Sequence, residues 1–242
     1  MVLLIAFLIQ GITAANITPE RLISGAGNLG EFIGQAFPPD LSRLDVLAKA
    51  LYETLQMAVV GVGLGVLLSL PVALVAAANT SPHPMLRVLA RSLISVSRTI
   101  PDLVWAMVFL VAVGFGPLAG ILAIAVDTVG FCGRFFAERI EEIKPGPSEA
   151  LLSAGGTRTA AVAGAILPEV FPSFVATGLF SVEKAVRSAV VLGLVGAGGI
   201  GVELRASMNL FQYQQALTII LMILGVVIAI EQTSARIRSR LL

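Results

Sequence analysis

Residues 54–78 read TLQMAVVGVGLGVLLSLPVALVAAA, a run without one charged side chain. Roughly 20 apolar residues of helix cross about 30 Å of hydrocarbon, so this stretch alone is long enough to span a bilayer. It carries Gly61, Gly63 and Gly65, and further on Pro71. Small residues let membrane helices approach closely, and glycine and proline are both tolerated there. Residues 206–230 form a second uncharged span, ended by Glu231. The chain around these runs agrees with them. Of 242 residues, 57% are hydrophobic and 13% charged, and the mean hydropathy is +0.94. A soluble domain carries about 25% charged residues because its surface faces water.

A net charge of +1 gives no global field for nucleic acid or acidic substrates. Cys132 is the one cysteine and His83 the one histidine. An internal disulfide framework and a cysteine metal cage are excluded, and little remains for histidine chemistry. Cys132 reads as a small buried side chain, and His83, between Pro82 and Pro84, as part of a solvent-exposed turn.

Between Arg91 and Arg134 the sequence is long enough for two crossings, with Gly114-Phe115-Gly116-Pro117 near its centre. That turn chemistry predicts a helical hairpin with arms over 93–113 and 118–136. A further span starts after Pro168 and runs through Val190, although it holds Glu183, Lys184 and Arg187. Residues 2–15 are apolar but short of a span, and no basic region precedes them as in a signal peptide. They read as a first helix that is short, tilted or missing its start. Arg87 and Arg91, then Arg134, Arg139, Lys144 and Arg158, then Arg236, Arg238 and Arg240 place three segments in the cytoplasm by the positive-inside rule. Two hairpins join them, residues 16–49 lie outside, and both termini are inside.

The internal loop 138–168 opens with Glu138, Glu141 and Glu142, followed by the helix-breaking Lys144-Pro145-Gly146-Pro147. Ser148 is placed to cap a helix that starts at Glu149 and stops at Gly155-Gly156. A second short helix from Thr157 leads through Ile166-Leu167-Pro168 into the membrane. A short apolar helix on such a loop needs a partner's groove or the headgroup surface to cover it.

The spacing Glu149-Ala150-Leu151, Gly155, then Ala165-Ile166-Leu167-Pro168 resembles the EAA loop of ABC importer permeases, with Leu151 for the second alanine and Ala165 for an isoleucine. Ser97-Arg98-Thr99-Ile100-Pro101-Asp102-Leu103-Val104-Trp105-Ala106 is similar to the start of the third helix of phosphonate importer permeases. Residues 186–201, VRSAVVLGLVGAGGIG, resemble their segment after the fifth helix, whose glycines the methionine importers share. The resemblance implies an all-α integral membrane bundle of five or six transmembrane helices, of the MetI-like type I permease kind. Residues 1–50 are expected to be an N-terminal helix and outer segment, and 51–242 the transport domain. The implied assembly is a homodimer in the bacterial inner membrane, with two ATPase subunits that hold ATP and Mg, and a periplasmic or lipid-anchored binding protein. This chain itself would bind no cofactor and catalyse nothing. Glu149, Ala150, Gly155, Leu167 and Pro168 would form the coupling helix and its turn, and the cargo would be a phosphonate or related phosphorus oxyanion.

Several residues carry competing readings. Gly196, Gly198, Gly199 and Gly201 fit a dinucleotide fingerprint, yet no acidic ribose ligand follows, since 218–221 are apolar. They read as a tight connection at the outer mouth. Glu183 and Arg187, like Arg98 and Asp102, lie four apart and are expected to pair on one helix face. Such pairs either brace the bundle or line a pathway. In the second case Arg187 and Arg98 would ease an anion's passage, and Glu183 and Asp102 would limit their hold. Trp105 reads as an interfacial or a pore-lining ring, and Asp127 has no local partner. Against the phosphonate importer stand a permease for another small solute such as methionine, an ATP-independent carrier, which an inverted repeat would favour, and a membrane enzyme, which would need a nucleophile–base or metal cluster.

Overall fold

The computed structural model describes residues 18–241 and, ahead of them, Met1, Ile5, Phe7, Gln10, Gly11, Thr13 and Ala14. The first helix expected over 2–15 rests largely on residues outside that set. Among the described residues the chain forms helices joined by short turns: α1 (Pro19–Ala36), α2 (Leu44–Ala76), α3 (Pro84–Thr99), α4 (Asp102–Val113), α5 (Pro117–Glu141), α6 (Gly146–Ser153), α7 (Arg158–Ala161), α8 (Leu167–Leu194), α9 (Ile200–Asn209) and α10 (Tyr213–Leu241). A π-turn, Val162–Ile166, joins α7 to α8. Leu44–Ala76, Pro117–Glu141, Arg158–Leu194 and Tyr213–Arg240 are each long and apolar enough to cross a membrane. The bent pair α3–α4 adds a fifth crossing if it counts as one span. The protein is therefore a multi-pass, all-helical membrane bundle.

The hairpin turn forms at Gly114 and Gly116, which take φ of 89° and 137°. Its first arm is not the single helix expected over 93–113. α3 and α4 meet at a 94° bend. Pro101 has no amide to donate, and it holds Ile100 extended at φ −85°, ψ 121°. The expected span over 206–230 is also broken. α9 ends at Asn209, and the chain turns through Phe211 at φ 57° before α10 begins at Tyr213. The break falls in a polar but uncharged stretch, Asn209 to Gln215, in which only Leu210 and Phe211 are strongly apolar, so a reading based on the absence of charge runs across it. α10 then continues past Glu231 to its basic end. Within 16–49, the stretch expected outside, lies α1, capped by Thr18 and resting on α10 through an edge-on contact of Phe32 with Tyr213 at 5.0 Å. α2 runs unbroken through residue 50.

α5 lies at the centre, packed on α2, α3, α4 and α8. Its contact with α2 is closest, and the cause is a pair of glycines one turn apart. A Cβ at Gly61 would stand 2.8 Å from Ile124 Cβ and 3.0 Å from the Ile121 carbonyl. One at Gly65 would overlap Thr128 and come within 2.8 Å of the Ala125 carbonyl. Ser69, a turn further, donates to Gly65 O at 2.6 Å. α3 approaches the opposite side of α5 over Gly130 and Gly133. Toward the loop, the rings of Phe136 and Phe174 stack at 4.0 Å and lock α5 to α8.

Overpacking of a core typically costs about 1–3 kcal/mol, and more where the obstacle is backbone that cannot swing aside. Gly65→Leu is thus expected to lower the membrane yield and melting temperature of the protein sharply. Gly63→Leu, whose added Cβ meets nothing within 4 Å, should leave both near wild type. Thermal-shift measurement on the purified variants checks the contrast.

Candidate functional site

The loop that follows α5 is built on a partly exposed cluster of hydrogen bonds and ion pairs. Glu141, at the end of α5, accepts from the Ala78 amide at 2.5 Å and from Arg91 at 2.7 Å, with Arg87 at 3.6 Å. Asn79 donates to Ile140 O at 2.7 Å, and Arg91 Nε to Ala76 O at 3.0 Å. One carboxylate thereby ties together the ends of α2, α3 and α5 nearest the loop. Sequence spacing gives no sign of it, because its partners lie 50 and 63 residues away.

α6 begins at Gly146 and not at the expected Glu149. Proline is tolerated in the first helical turn, where its missing amide has no intrahelical partner, so Pro147 opens the helix instead of blocking it. Ser148 sits inside that turn and donates to Pro145 O at 2.8 Å, so it is not the cap. No residue of α6 is buried; Glu149 and Ala150 face solvent beside Leu151 and Leu152, which are 37% and 43% exposed. The helix stops at Gly155, whose φ of +87° disfavours any residue with a Cβ. Thr157 then caps α7 by accepting from the Ala160 amide at 3.2 Å. The π-turn lies directly before Pro168, where a proline ring would otherwise meet the carbonyl four residues back. Leu167 and Pro168 thus start α8.

The charges inside the spans are paired across helices more than along them. Glu183, with a side chain 8% exposed, accepts from Arg187 at 3.3 Å as its spacing predicts, and also from Arg238 of α10 at 3.5 Å. The Arg238 guanidinium lies 5.9 Å from the centre of the Phe180 ring. Arg98 and Asp102 do not pair. The α3–α4 bend falls between them, so the one-face argument fails, and Asp102 accepts from the Leu103 amide at 2.9 Å. Asp127 finds its partner in Lys184, whose ammonium meets both carboxylate oxygens at 2.9 and 2.7 Å and lies 5.3 Å from the Phe131 ring centre. Trp105 is half-buried, stacks on Phe109 and donates to Ser97 O at 3.4 Å. Cys132 is buried against the Ser181 hydroxyl at 3.1 Å. His83 caps α3, its Nδ1 accepting from the Met85 amide at 3.1 Å.

The glycine segment forms the tight non-helical link between α8 and α9. Gly196, Gly198 and Gly199 take φ of 108°, 93° and 70°, and Gly201 packs its Cα face on the Val190 carbonyl and Gly193. The link is pinned to the third turn of α2: Glu53 accepts from the Gly199 amide at 3.1 Å and Thr54 from the Ile200 amide at 2.8 Å.

Residues 69–236 match the family described as binding-protein-dependent transport system inner membrane component. The chain belongs to that family. It is 40% identical over 217 residues to the phosphite transport system permease protein PtxC of Stutzerimonas stutzeri, covering 90% of this chain and 79% of that protein. It is 38% identical over 232 residues to the phosphate-import permease protein PhnE of Mycolicibacterium smegmatis, which is 95% of this chain but 43% of that protein's length. In structure, the permease superposes on a chain of the inward-facing MetNI methionine ABC transporter with a TM-score of 0.73, over 84% of this chain and 99% of that one. At 22% identity that likeness shows the fold, which is the MetI-type bundle. Both α6 and the Asp127–Lys184 pair lie within the matched region of the permease.

Asp127→Asn leaves the Lys184 ammonium without its counter-charge inside the bundle. The loss of thermal stability should fall below the about 3–5 kcal/mol of a fully buried pair, since Lys184 is partly exposed. The exchange Asp127→Lys with Lys184→Asp should recover most of it, as read by melting of the purified permease.

Proposed function

We propose that this permease moves a phosphonate, or a related phosphorus oxyanion such as phosphite or phosphate, inward across the bacterial inner membrane. It acts as a homodimer coupled to two ATPase subunits, and a periplasmic or lipid-anchored binding protein delivers the cargo. ATP and Mg are held by the ATPase, and this chain performs no covalent step. The transport domain is 51–242 and is preceded by the N-terminal helix and outer segment of 1–50, the two being continuous through α2, which begins at Leu44. The names of the relatives support the cargo class.

The observation that carries the coupling is the state of α6. It is a helix with two exposed leucines, held on a root that ties three spans together. An exposed apolar helix on so rigid a base suits a lever seated in another protein's groove. Glu149 and Ala150 would meet the ATPase, Gly155 would set the angle between α6 and α7, and Leu167 and Pro168 would pass the movement into α8. Closure of the ATPase pair on ATP would then shift the helix ends and open the path outward.

Along the path an oxyanion needs cationic or N–H partners. Arg187, 47% exposed at its side chain, and Arg98 are the cations assigned to it. Glu183 moderates the first, while Asp102 and Trp105 stand at the α3–α4 corner. Gly196, Gly198, Gly199 and Gly201 form the outer closure, pinned to α2 through Glu53 and Thr54.

In proteoliposomes holding permease, ATPase and binding protein, phosphite uptake should require ATP. Gly155→Val, which forces a β-branched residue into the left-handed region at about 1–2 kcal/mol or more, should remove uptake while the protein still inserts. Uptake without ATP would identify a secondary carrier instead. Arg187→Met should abolish uptake and leave assembly with the ATPase intact; unchanged kinetics would take Arg187 out of the path.

A further inference from the structure

Between α3 and α5 lies a cleft of about 560 Å³, lined by Ser95 and Arg98 on α3, Arg134 and Glu138 on α5, and Arg91 with Glu141 at the end nearest the loop. Its size falls within the about 300–1,000 Å³ common to small-molecule pockets. Two of the arginines are already engaged. Arg91 pairs with Glu141 at 2.7 Å, and Arg134 with Glu138 at 2.6 Å. Among the described residues the side chain of Arg98 makes no ion pair and no hydrogen bond. Its place is nevertheless built. Its stem lies over Gly130, where an added Cβ would stand 2.8 Å from Arg98 Cγ and 2.9 Å from its backbone nitrogen. The glycine lets α3 settle onto α5 and points this one free guanidinium along the cleft wall.

An ion within a membrane bundle is costly unless it faces water or a counter-charge. The cleft supplies two carboxylates against three guanidinium groups, and both carboxylates are already bound. A planar guanidinium offers paired N–H donors that match two oxygens of a tetrahedral oxyanion. Ser95 adds a hydroxyl from the same helix face, one turn before Arg98. We infer that this cleft is a binding site for a phosphate-class oxyanion, gripped by Arg98, with Arg134 and Ser95 as further donors. Two sources present that chemistry at this depth. One is the free oxyanion in transit, which rests on the cargo reading given above; the other is the headgroup phosphate of an anionic lipid.

The test uses permease purified with its ATPase and stripped of lipid in dodecyl maltoside, which carries no phosphate. Binding of radiolabelled phosphate and of phosphite is measured for wild type, Arg98→Met and Arg98→Lys. Retention of added phosphatidylglycerol is followed by native mass spectrometry. A free oxyanion predicts saturable binding that Arg98→Met weakens at least about tenfold, or about 1.4 kcal/mol, with partial recovery in Arg98→Lys. A lipid source predicts no such binding, and phosphatidylglycerol retention that Arg98→Met removes. Equal binding and equal lipid retention in wild type and Arg98→Met would overturn the site. Co-elution with the ATPase monitors assembly. If Arg98→Met does not assemble, Arg98→Lys and Ser95→Val decide: lowered retention of either ligand upholds the site, and unchanged retention in both overturns it. ATP-dependent phosphite uptake by wild type is scored separately. Its absence alongside Arg98-dependent binding sinks the cargo reading alone, and its presence alongside Arg98-independent binding sinks the site alone.

Discussion

The approach of α2 to α5 at Gly61 and Gly65 is the constraint from which the rest follows. Within a bilayer no hydrophobic force drives helices together, so association depends on close packing and on hydrogen bonds between helices. The two glycines bring α2 against the Ile121 and Ala125 carbonyls. Ser69 continues the contact, its hydroxyl reaching Thr128 O on α5 at 3.5 Å. With α2 fixed on one side of α5, the glycines at 130 and 133 admit α3 on the other, and α8 closes the bundle through Phe136 on Phe174. The Asp127–Lys184 pair and the seat of Arg98 are positioned by these approaches.

The bundle also explains how so many ions are accommodated inside apolar helices. Asp127 and Lys184 neutralise each other between α5 and α8, and Glu183 is shared by Arg187 and Arg238. The shared carboxylate brings the basic end of α10 against the middle of α8. Arg187 remains about half exposed, so it is available to a further partner in a way that Glu183 is not. Arg98 is held by packing and not by charge, because Gly130 fixes its stem and, among the described residues, no carboxylate takes its guanidinium.

At the other end, the loop gains its stiffness from a single carboxylate. Glu141 gathers the Ala78 amide, Arg91 and Arg87, so α6 stands on the joined ends of three helices. The continuous path from α7 through the π-turn into α8, Arg158–Leu194, gives the loop a direct mechanical route into the charged middle of the bundle.

What the sequence determined by itself was whatever depends on local composition and spacing. Residues 54–78 are long and apolar enough to be a span; Gly114 to Pro117 must turn; Gly155 must interrupt the loop; Glu183 and Arg187 must share a face. The EAA spacing also indicated the family, which the matched region at 69–236 bears out. Tertiary structure decided the rest, because the determining partners are distant in the chain. The break at Leu210–Gln212 carries no charge, so the charge-free length of 206–230 hid it despite Asn209, Gln212, Gln214 and Gln215, and Pro101 separates Arg98 from Asp102 although their spacing suits one helix face. Lys184 became the partner of Asp127 only once α8 had packed on α5, 57 residues away in sequence. Charge pairing in a membrane is set by which helices come into contact, and that is settled by close packing of small residues over the whole bundle.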